Sequence, residues 1–375
     1  MTRRIVIAGG GTGGHITPAL ALAEVFSDRG DQVTLIGTRR GLETRMVPAA
    51  GFALRTLDSR PLIGRTLPER AGALWALAGA TRDARRALRE LRAELVVSVG
   101  GYAAVPVTLA AALARIPIAL VEPNALPGFA NRAMARFAKR LFSGFEITGE
   151  RLAGRAADNR VRLVGVPLRQ ALIETLADAP PARVPEAPFR IFVFGGSQGA
   201  RQLNRGVPDA LASLGEEFPP TSFEVVHQTG EADRERVAAA YEASGFDATV
   251  LAFETDMAGR YRWSDLVVCR AGALTIAELT LAQRPALLVP LGHVGGGEQI
   301  ENARALDAAG AARILPAAAC NAESWREAFL ALLHRRAEWP AMGARAGGLA
   351  RPAAAREIAA ECLSLLSDDG AGSPR

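Results

Sequence analysis

Short runs of apolar residues alternate with helical patterns along most of the chain, in two series separated by a Pro- and Ala-rich segment at 178–188. Strands that are apolar throughout are buried on both faces, so the alternation predicts parallel sheets covered by helices. The predicted strands of the first series cover 4–8, 32–36, 95–99, 118–121, 140–142 and 161–163. Those of the second series cover 190–194, 223–227, 249–252, 266–268, 286–289 and 312–314.

Each series opens with an apolar strand that runs into a glycine-rich turn and then a helix. The two segments are Ile5-Val-Ile-Ala-Gly-Gly-Gly-Thr-Gly-Gly14 and Ile191-Phe-Val-Phe-Gly-Gly-Ser-Gln-Gly199. The repeat predicts an α/β protein with two Rossmann-like domains, 1–165 and 166–345, whose parallel sheets face a central cleft. The remainder, 346–375, is predicted to be a helix that packs back toward the first domain, followed by a disordered tail. A length of 375 residues agrees with two domains.

The sequence argues against a secreted, membrane-spanning or disulfide-bonded protein. The apolar run at 5–8 is too short for a signal peptide. The uncharged stretch 96–114 has the length of a membrane span, but Gly100, Gly101 and Pro106 interrupt it, so we expect a strand, a turn and a buried helix of a soluble protein. Three scattered cysteines fit neither a disulfide framework nor a zinc site, which indicates a reducing compartment.

The net charge of +5 fits nucleic acid, an anionic membrane or a phosphorylated substrate as a partner. Aromatic residues make up only 6% of the chain, and no aromatic-rich RNA-binding motif accompanies the basic residues. We therefore expect no nucleic acid partner.

The first glycine turn by itself suggests a dinucleotide. Gly9, Gly11 and Gly14 satisfy G-x-G-x-x-G, a pattern of low specificity. The residues after the second strand are Gly37-Thr-Arg-Arg40, which lack the usual acid for the ribose but suit a 2′-phosphate. An NADP-dependent oxidoreductase is therefore one alternative, although this function does not explain the second glycine turn.

Polar residues in the second half favour a nucleotide sugar instead. Glu278 follows the small-residue turn Cys269-Arg-Ala-Gly-Ala273, where a carboxylate can accept hydrogen bonds from both ribose hydroxyls. Gln299 and Asn302 stand three residues apart on one predicted helix face, and their amides can both donate to and accept from sugar hydroxyls. Together these residues indicate an enzyme that uses a nucleotide-activated sugar.

Distinctive motifs run from the first strand to about residue 302: Gly10-Gly-Thr-Gly-Gly-His15, Gly100-Gly-Tyr102, Glu122-Pro-Asn124, Gly195-Gly-Ser-Gln-Gly-Ala-Arg201 with Asn204, Asp256-Met257, and 270–278. In these motifs the chain resembles the MurG family of bacterial N-acetylglucosaminyltransferases. The resemblance implies a GT-B fold and transfer of GlcNAc from UDP-GlcNAc to the C4 hydroxyl of undecaprenyl-diphospho-MurNAc-pentapeptide, with inversion of the anomeric centre and no cofactor. A UDP-sugar epimerase of the same fold is the other alternative.

The same resemblance assigns residues to the substrates. Thr12, Gly13 and Gly14 would lie on the sugar and diphosphate side, Asn124 and Gln299 on the GlcNAc, and Arg169 and Ser197 on the diphosphate. Backbone groups near Phe253 and Glu254 would contact the uracil, and the segment Ala273, Leu274, Thr275, Ile276, Ala277 and Glu278 would hold phosphate and ribose. Tyr102, Gln198, Gly199, Asn204 and Asn302 complete the predicted substrate-binding set.

The chain departs from the expected family pattern at four places. Pro123 stands where Gln is expected, Val166 where Asn is expected, and Ala271 where Ser is expected. The run Gly295-Gly-Gly297 is about one residue longer than usual, which leaves the register at Glu298 and Gln299 open.

Two residues are candidates for the base that deprotonates the acceptor. His15 closes the first glycine turn and has a pKa class suited to proton transfer near neutral pH. Glu122 stands at the end of a strand, where open α/β sheets bind ligands. No Asp-x-Asp motif is present in the sequence, in agreement with a diphosphate site that uses no metal. His227 and His334 are expected to be structural.

A lipid-linked acceptor requires contact with a membrane, so the resemblance implies a peripheral protein on the cytoplasmic face of the bacterial inner membrane. The predicted contact is an apolar and basic segment of the first domain, in which the apolar side chains can lie in the headgroup region and the arginines can attract anionic lipid. Its apolar residues are Leu62, Ile63, Leu74, Trp75 and Leu77, and its basic residues are Arg65, Arg70, Arg82, Arg85 and Arg86. The alternative is that Leu74, Trp75 and Leu77 form the buried face of a helix.

Overall fold

The structure is a computed structural model that describes residues 2–11, 13–58, 67–153, 158–215, 217–292 and 296–368. Two compact units make up the chain. Unit 1 consists of Met1–Gln170 and Arg351–Arg375, and unit 2 of Ala171–Ala350.

Unit 1 contains a seven-stranded sheet in which all neighbouring strands are parallel. The strands are β1 (Arg4–Gly9), β2 (Gln32–Thr38), β3 (Ala53–Leu57), β4 (Leu95–Gly100), β5 (Ile118–Glu122), β6 (Arg140–Ser143) and β7 (Val161–Leu163). Their order across the sheet is β3-β2-β1-β4-β5-β6-β7. The central strands β1, β4 and β5 are buried, as their continuous apolar runs predict.

Helices cover both faces of this sheet. They are α1 (Gly13–Asp28), α2 (Glu43–Ala49), α3 (Leu67–Glu90), α4 (Ala104–Leu113), α5 (Phe129–Met134) and α6 (Glu146–Ala153). The uncharged stretch 96–114 forms β4 and α4, as expected. Among the described residues, no helix combines the length and the apolar character that crossing a membrane requires.

Unit 2 repeats the design with a six-stranded sheet, again with parallel neighbours. Its strands are β8 (Phe189–Phe194), β9 (Phe223–Gln228), β10 (Asp247–Leu251), β11 (Leu266–Cys269), β12 (Ala286–Leu288) and β13 (Ala312–Ile314), in the order β10-β9-β8-β11-β12-β13. Its helices are α7 (Gln170–Ala177), α8 (Arg201–Ala212), α9 (Arg234–Ala243), α10 (Met257–Trp263), α11 (Ala273–Ala282), α12 (Glu298–Ala308), α13 (Ala322–His334) and α14 (Trp339–Gly348). The predicted fold class of two parallel-sheet α/β domains is confirmed.

The last helix, α15 (Ala354–Asp368), belongs to unit 1. It buries an apolar stripe that includes Ala355, Ile358 and Cys362 in the same cluster as Leu20 and Phe26 of α1. The spacing of three and four residues is that of one helix face.

The two sheets share a topological feature that positions a ligand site in each. The first strand of each unit lies between the second and the fourth, so the winding direction reverses between β1 and β4 and again between β8 and β11. Open parallel sheets bind ligands beyond the carboxyl ends of the strands at such a reversal. Both glycine-rich turns lie at these points.

Candidate active site

The turn after β1 is held from inside by a carboxylate. Glu43, the first residue of α2, is fully buried, and its Oε2 accepts a hydrogen bond from the Gly11 amide at 3.0 Å. Its Oε1 accepts from the Thr38 amide and from the Thr38 hydroxyl, both at 2.6 Å. Glu43 therefore ties the end of β1 to the end of β2.

Three glycines make room for this carboxylate. A Cβ on Gly10 would lie 2.4 Å from a Glu43 oxygen, and one on Gly37 would lie 2.5 Å from the Glu43 side chain. A Cβ on Gly41 would clash more severely still. The first glycine-rich turn is thus built around a buried anion of the protein itself. Burial raises the pKa of Glu43, but the hydrogen bonds from Thr38 and Gly11 outweigh it, so the pKa lies below its usual value.

His15 stands at the start of α1, beside the turn after β4. Its Nε2 lies 3.2 Å from the position that a Cβ on Gly100 would occupy, and Gly100 has a φ of +104°, so glycine is favoured there. Burial lowers the pKa of His15, and the neighbouring Glu43 carboxylate opposes that shift. The imidazole is therefore neutral near pH 7 and able to accept a proton. Gly13 begins the helix and Gly14 is exposed, whereas Thr12 lies outside the described residues.

Both carboxylate oxygens of Glu122 accept hydrogen bonds. The side chain is 1% exposed. Its Oε1 accepts from the Asn124 amide and the Asn124 side chain at 2.9 and 3.2 Å, and its Oε2 from the Gly128 amide and Asn131 Nδ2 at 3.0 and 2.9 Å. Burial raises the pKa of Glu122 in spite of these donors. Glu122 thus fixes the loop that carries Asn124, and its part as a base stays a prediction.

Two further predicted residues of unit 1 lie at its surface. Tyr102 follows the turn after β4 and is 45% exposed. Arg169 donates to Oε1 of Glu24 on α1 from Nε at 2.8 Å and from Nη2 at 2.6 Å. The structure therefore pairs Arg169 within unit 1, and its contact with the diphosphate stays a prediction.

No side chain caps the helix that follows the glycine turn of unit 2, whereas the Glu43 carboxylate occupies the Gly11 amide in the turn of unit 1. Ser197 and Gln198 are exposed, and no side chain caps α8, which starts at Arg201. Gly199 has a φ of +72°, and a Cβ on it would strike the Thr229 carbonyl. The turn therefore lies tightly against the end of β9, with its tip accessible to a ligand.

Asn204 is buried behind this turn, and its contact with substrate stays a prediction. It is 1% exposed, and its Nδ2 donates to the Thr229 carbonyl at 2.9 Å and to Asp233 at 2.8 Å. Its Oδ1 lies 3.2 Å from Nε2 of His227, whose Nδ1 lies 3.0 Å from the Tyr241 hydroxyl. Burial lowers the pKa of His227 to about 3, so a neutral histidine completes a structural network, as the sequence indicated.

The segment after β10 carries the residues predicted to contact a base. Phe253 is exposed, and its backbone forms no hydrogen bond within the described part of the chain. The Glu254 side chain is buried and accepts from Arg260 Nε at 2.5 Å. The Glu254 amide donates to Gln228 Oε1 at 3.2 Å, and Gln228 Nε2 donates to the Gly196 carbonyl at 2.7 Å. One buried amide side chain thus joins this segment to the glycine turn.

The start of α11 offers free donors at the β8/β11 reversal. The first intrahelical bond runs from the Ile276 amide to the Gly272 carbonyl at 2.9 Å, and no side chain caps the helix. The amides of Ala273, Leu274 and Thr275 therefore have no acceptor within the helix, and the helix dipole favours an anion there.

Glu278 follows these amides one turn later, with Ala277 beside it. Its Oε2 accepts from the Tyr261 hydroxyl at 2.8 Å, and its Oε1 has no hydrogen-bond partner among the described residues. Burial raises the pKa of Glu278 to about 7, an effect that the Tyr261 hydrogen bond opposes. The carboxylate thus has one oxygen available to a ligand.

The two amide side chains of α12 differ in their surroundings. Gln299 is half-buried in the first turn of the helix, and its Oε1 accepts from the Leu291 amide at 2.9 Å. Asn302 is fully buried and donates to the Ala271 carbonyl at 3.1 Å, so it supports the turn before α11. Its contact with substrate stays a prediction. His293 lies outside the described residues.

Comparison with known proteins decides the family. The N-terminal domain of glycosyltransferase family 28 matches residues 5–143, and its C-terminal domain matches residues 190–358. The UDP-N-acetylglucosamine--N-acetylmuramyl-(pentapeptide) pyrophosphoryl-undecaprenol N-acetylglucosamine transferase of Anaeromyxobacter sp. (strain Fw109-5) is 42% identical, over 97% of this chain and 93% of that protein. Its namesake from Myxococcus xanthus is 40% identical with the same coverage. The chain belongs to the MurG family.

Solved structures agree with this placement. The crystal structure of Acinetobacter baumannii MurG superimposes with a TM-score of 0.79 at 30% identity, covering 96% of this chain and 99% of that one. A UDP-GlcNAc 2-epimerase from Neisseria meningitidis gives a TM-score of 0.67 at 14% identity, covering 96% of this chain and 99% of that one, a likeness of fold alone.

Three residues of this MurG-family site were not identified from the sequence: Glu43, Gln228 and Tyr261. Each acts on a motif that is distant along the chain, and none belongs to a recognised pattern. Glu43 also bears on the NADP alternative, because a buried carboxylate already occupies the Gly11 amide that a cofactor phosphate would need. The negative charge of the Glu43 carboxylate at that position disfavours the binding of a cofactor phosphate.

Proposed function

We propose that this chain transfers GlcNAc from UDP-GlcNAc to the C4 hydroxyl of undecaprenyl-diphospho-MurNAc-pentapeptide and inverts the anomeric centre. The proposal rests on membership of the MurG family over nearly the whole chain. The observation that carries it is the Glu278 carboxylate with one oxygen free, beside the uncapped amides of α11.

Unit 2 would bind the donor. The vicinal hydroxyls of the ribose would donate to Glu278, and the backbone of Phe253 offers free groups to the uracil edge. The amides at the start of α11, and the turn at Ser197 before α8, would meet the diphosphate charge. We assign GlcNAc hydroxyls to Gln299, whose amide nitrogen can donate while its oxygen holds Leu291.

Unit 1 would supply the base. The acceptor oxygen attacks the anomeric carbon and forms the new glycosidic bond while its proton passes to the neutral imidazole of His15. The bond from the anomeric carbon to the diphosphate oxygen breaks with its electron pair, and UDP leaves. A single displacement inverts the configuration. We take His15 and not Glu122 as the base, because four donors already occupy the Glu122 oxygens.

Release of UDP tests the reaction. The full chain is incubated with UDP-GlcNAc, with and without the lipid-linked acceptor, and free UDP and disaccharide lipid are measured. We expect UDP only when acceptor is present, in equal amount to the new disaccharide. Release of UDP with a changed sugar and no acceptor would favour the epimerase alternative, and oxidation of NADPH would favour the oxidoreductase.

We also propose that α3 attaches the protein to the anionic cytoplasmic face of the bacterial inner membrane. Leu74 is 64% exposed and Trp75 is 81% exposed, so these two do not form the buried face of the helix. Arg82 and Arg85 are exposed farther along α3. Exposed apolar groups next to basic residues suit a charged headgroup layer. Leu62, Ile63, Arg65 and the Arg70 side chain lie outside the described residues.

A further inference from the structure

Tyr261 is a fully buried tyrosine whose position is fixed at both ends. Its ring packs edge-on against Phe192 and Phe194 of β8, with centroids 6.1 Å away in each case. Its carbonyl accepts from Nε of Arg284 at 2.6 Å, and that arginine is itself buried. The phenol of Tyr261 is thus held by the strand that leads into the open glycine turn.

The only hydroxyl proton of Tyr261 goes to Glu278. A phenol has one proton to donate, and here it is donated to Oε2 at 2.8 Å. This bond restrains the orientation of the carboxylate, and Oε1 has no hydrogen-bond partner among the described residues. A carboxylate held in this way offers its second oxygen to a pair of adjacent hydroxyls.

We propose that Tyr261 is a positioning residue for the nucleoside diphosphate: it holds the Glu278 carboxylate in the orientation that binds the vicinal hydroxyls of the ribose. The inference rests on the ribose contact assigned to Glu278 under the proposed function. The hydrogen bond has a second consequence, because it also stabilises the ionised form of Glu278. Burial has already raised the pKa of that group to about 7, so loss of the phenol would leave more of it protonated at neutral pH.

The Tyr261→Phe substitution removes the hydroxyl and keeps the buried ring. Calorimetric titration with UDP should show affinity about tenfold weaker near neutral pH, as expected for one hydrogen bond to a charged group. The loss should shrink at alkaline pH, where Glu278 ionises without help, so the midpoint of the pH dependence should move upward. The affinity ratio of UDP to 2′-deoxyuridine diphosphate should also fall.

Tyr241→Phe is the matched control. Tyr241 is an equally buried tyrosine of unit 2, but its hydroxyl lies 3.0 Å from His227 and makes no bond to Glu278. This variant should keep both the UDP affinity and the pH midpoint of the wild type. An equal shift in both variants would mean that any lost buried hydroxyl disturbs the unit, and the inference would be wrong.

A measurement on the wild-type protein does not depend on the folding of a variant. The chain has three tyrosines, so labelling tyrosine with ¹³C at Cζ gives three signals. The Tyr261 signal should titrate with Glu278 near neutral pH and shift on addition of UDP, while the Tyr241 signal does neither. A Tyr261 signal that ignores both pH and UDP would overturn the inference.

Glu278→Ala separates the inference from the proposal on which it rests. If this variant loses UDP affinity while Tyr261→Phe binds as the wild type does, Glu278 holds the ribose without help from Tyr261. If Glu278→Ala itself binds UDP normally, the proposed ribose contact is wrong, and the positioning role fails with it.

Discussion

Replacement of Glu43 by alanine should strongly lower the free energy of unfolding of unit 1. Charged residues of short helices usually lie at the surface, where their replacement has little effect, but Glu43 is buried. The carboxylate is fully buried and accepts three hydrogen bonds, two of them from the backbone amides of Gly11 and Thr38. Alanine leaves those amides without an acceptor, in a space that three glycines keep open. An unsatisfied buried donor costs about 1–3 kcal/mol, so for the two amides we expect a loss of about 2–6 kcal/mol before the surrounding residues relax into the space. This loss is a large share of the free energy of unfolding of a typical domain, which is about 5–15 kcal/mol.

Urea unfolding followed by circular dichroism measures this loss. Glu90→Ala is the control, since Glu90 is a partly exposed residue of α3 that pairs with Arg86 at 2.9 Å. Such a surface pair contributes about 0–1 kcal/mol. If Glu43→Ala unfolds at the same urea concentration as Glu90→Ala, the buried carboxylate does not hold the turn, and the reasoning is refuted.

The stabilisation by Glu43 should also depend on pH in a defined direction. Because its pKa in the folded chain is lowered, the ionised form is favoured by folding. The contribution is therefore complete above the ordinary carboxylate pKa and is lost as the pH falls through the folded pKa. The difference in stability between wild type and Glu43→Ala should shrink on acidification, whereas a constant difference would mean that only the volume of the side chain matters.

The remaining predictions concern catalysis and attachment. His15→Ala should lower kcat by on the order of 10²-fold with UDP affinity nearly intact. Glu122→Gln should mainly lower stability. A larger loss of kcat in Glu122→Gln than in His15→Ala would mean that Glu122, and not His15, is the base. Glu278→Ala should weaken UDP binding about tenfold or more by calorimetry, and wild-type affinity should rise as the pH passes upward through about 7, because the ionised carboxylate accepts the ribose hydroxyls. A Leu74→Ser/Trp75→Ser pair should sediment less with anionic liposomes at low salt while keeping its circular dichroism spectrum; equal binding by both proteins, or none by either, would exclude this surface as the contact.

The sequence allowed the sheets to be predicted because most strands are apolar throughout. The exception is β3 (Ala53–Leu57), which the apolar pattern does not predict. It lies at the edge of its sheet, where one face and one side remain accessible, so only Leu57 of its residues is buried. An edge strand of this kind has no continuous apolar run. The boundaries of β10 differ for the same reason, since it is the edge strand of unit 2 and is partly exposed.

Side-chain roles were harder to predict than strands, because a polar residue at a strand end can serve either a ligand or a loop. Glu122, Asn204 and Asn302 fit family motifs, and each is buried and bonded to backbone groups. Their position along the chain is compatible with both tasks, and only their hydrogen-bond partners distinguish them. Glu43 could not be assigned a role from the sequence for a different reason. The three glycines that surround its carboxylate belong to two separate segments, and only folding brings them together around it.

The two units also show why one topology can support two chemical tasks. Both place a glycine-rich turn at the reversal of strand order, where backbone amides attract anions. In unit 1 the Glu43 carboxylate accepts from the Gly11 amide, and the neutral imidazole of His15, the base proposed above, follows that turn along the chain. In unit 2 no internal carboxylate reaches the described residues of the turn at Ser197, and the start of α11 is uncapped. We therefore expect a diphosphate to bind at unit 2 in preference to the Gly11 amide of the unit 1 turn. If so, Glu43→Gln should let unit 1 take up a diphosphate weakly; a second, low-affinity UDP site in the calorimetry of this variant, absent from the wild type, is the expected sign. A single site in both proteins would mean that the geometry of the turn, and not its charge, excludes the ligand.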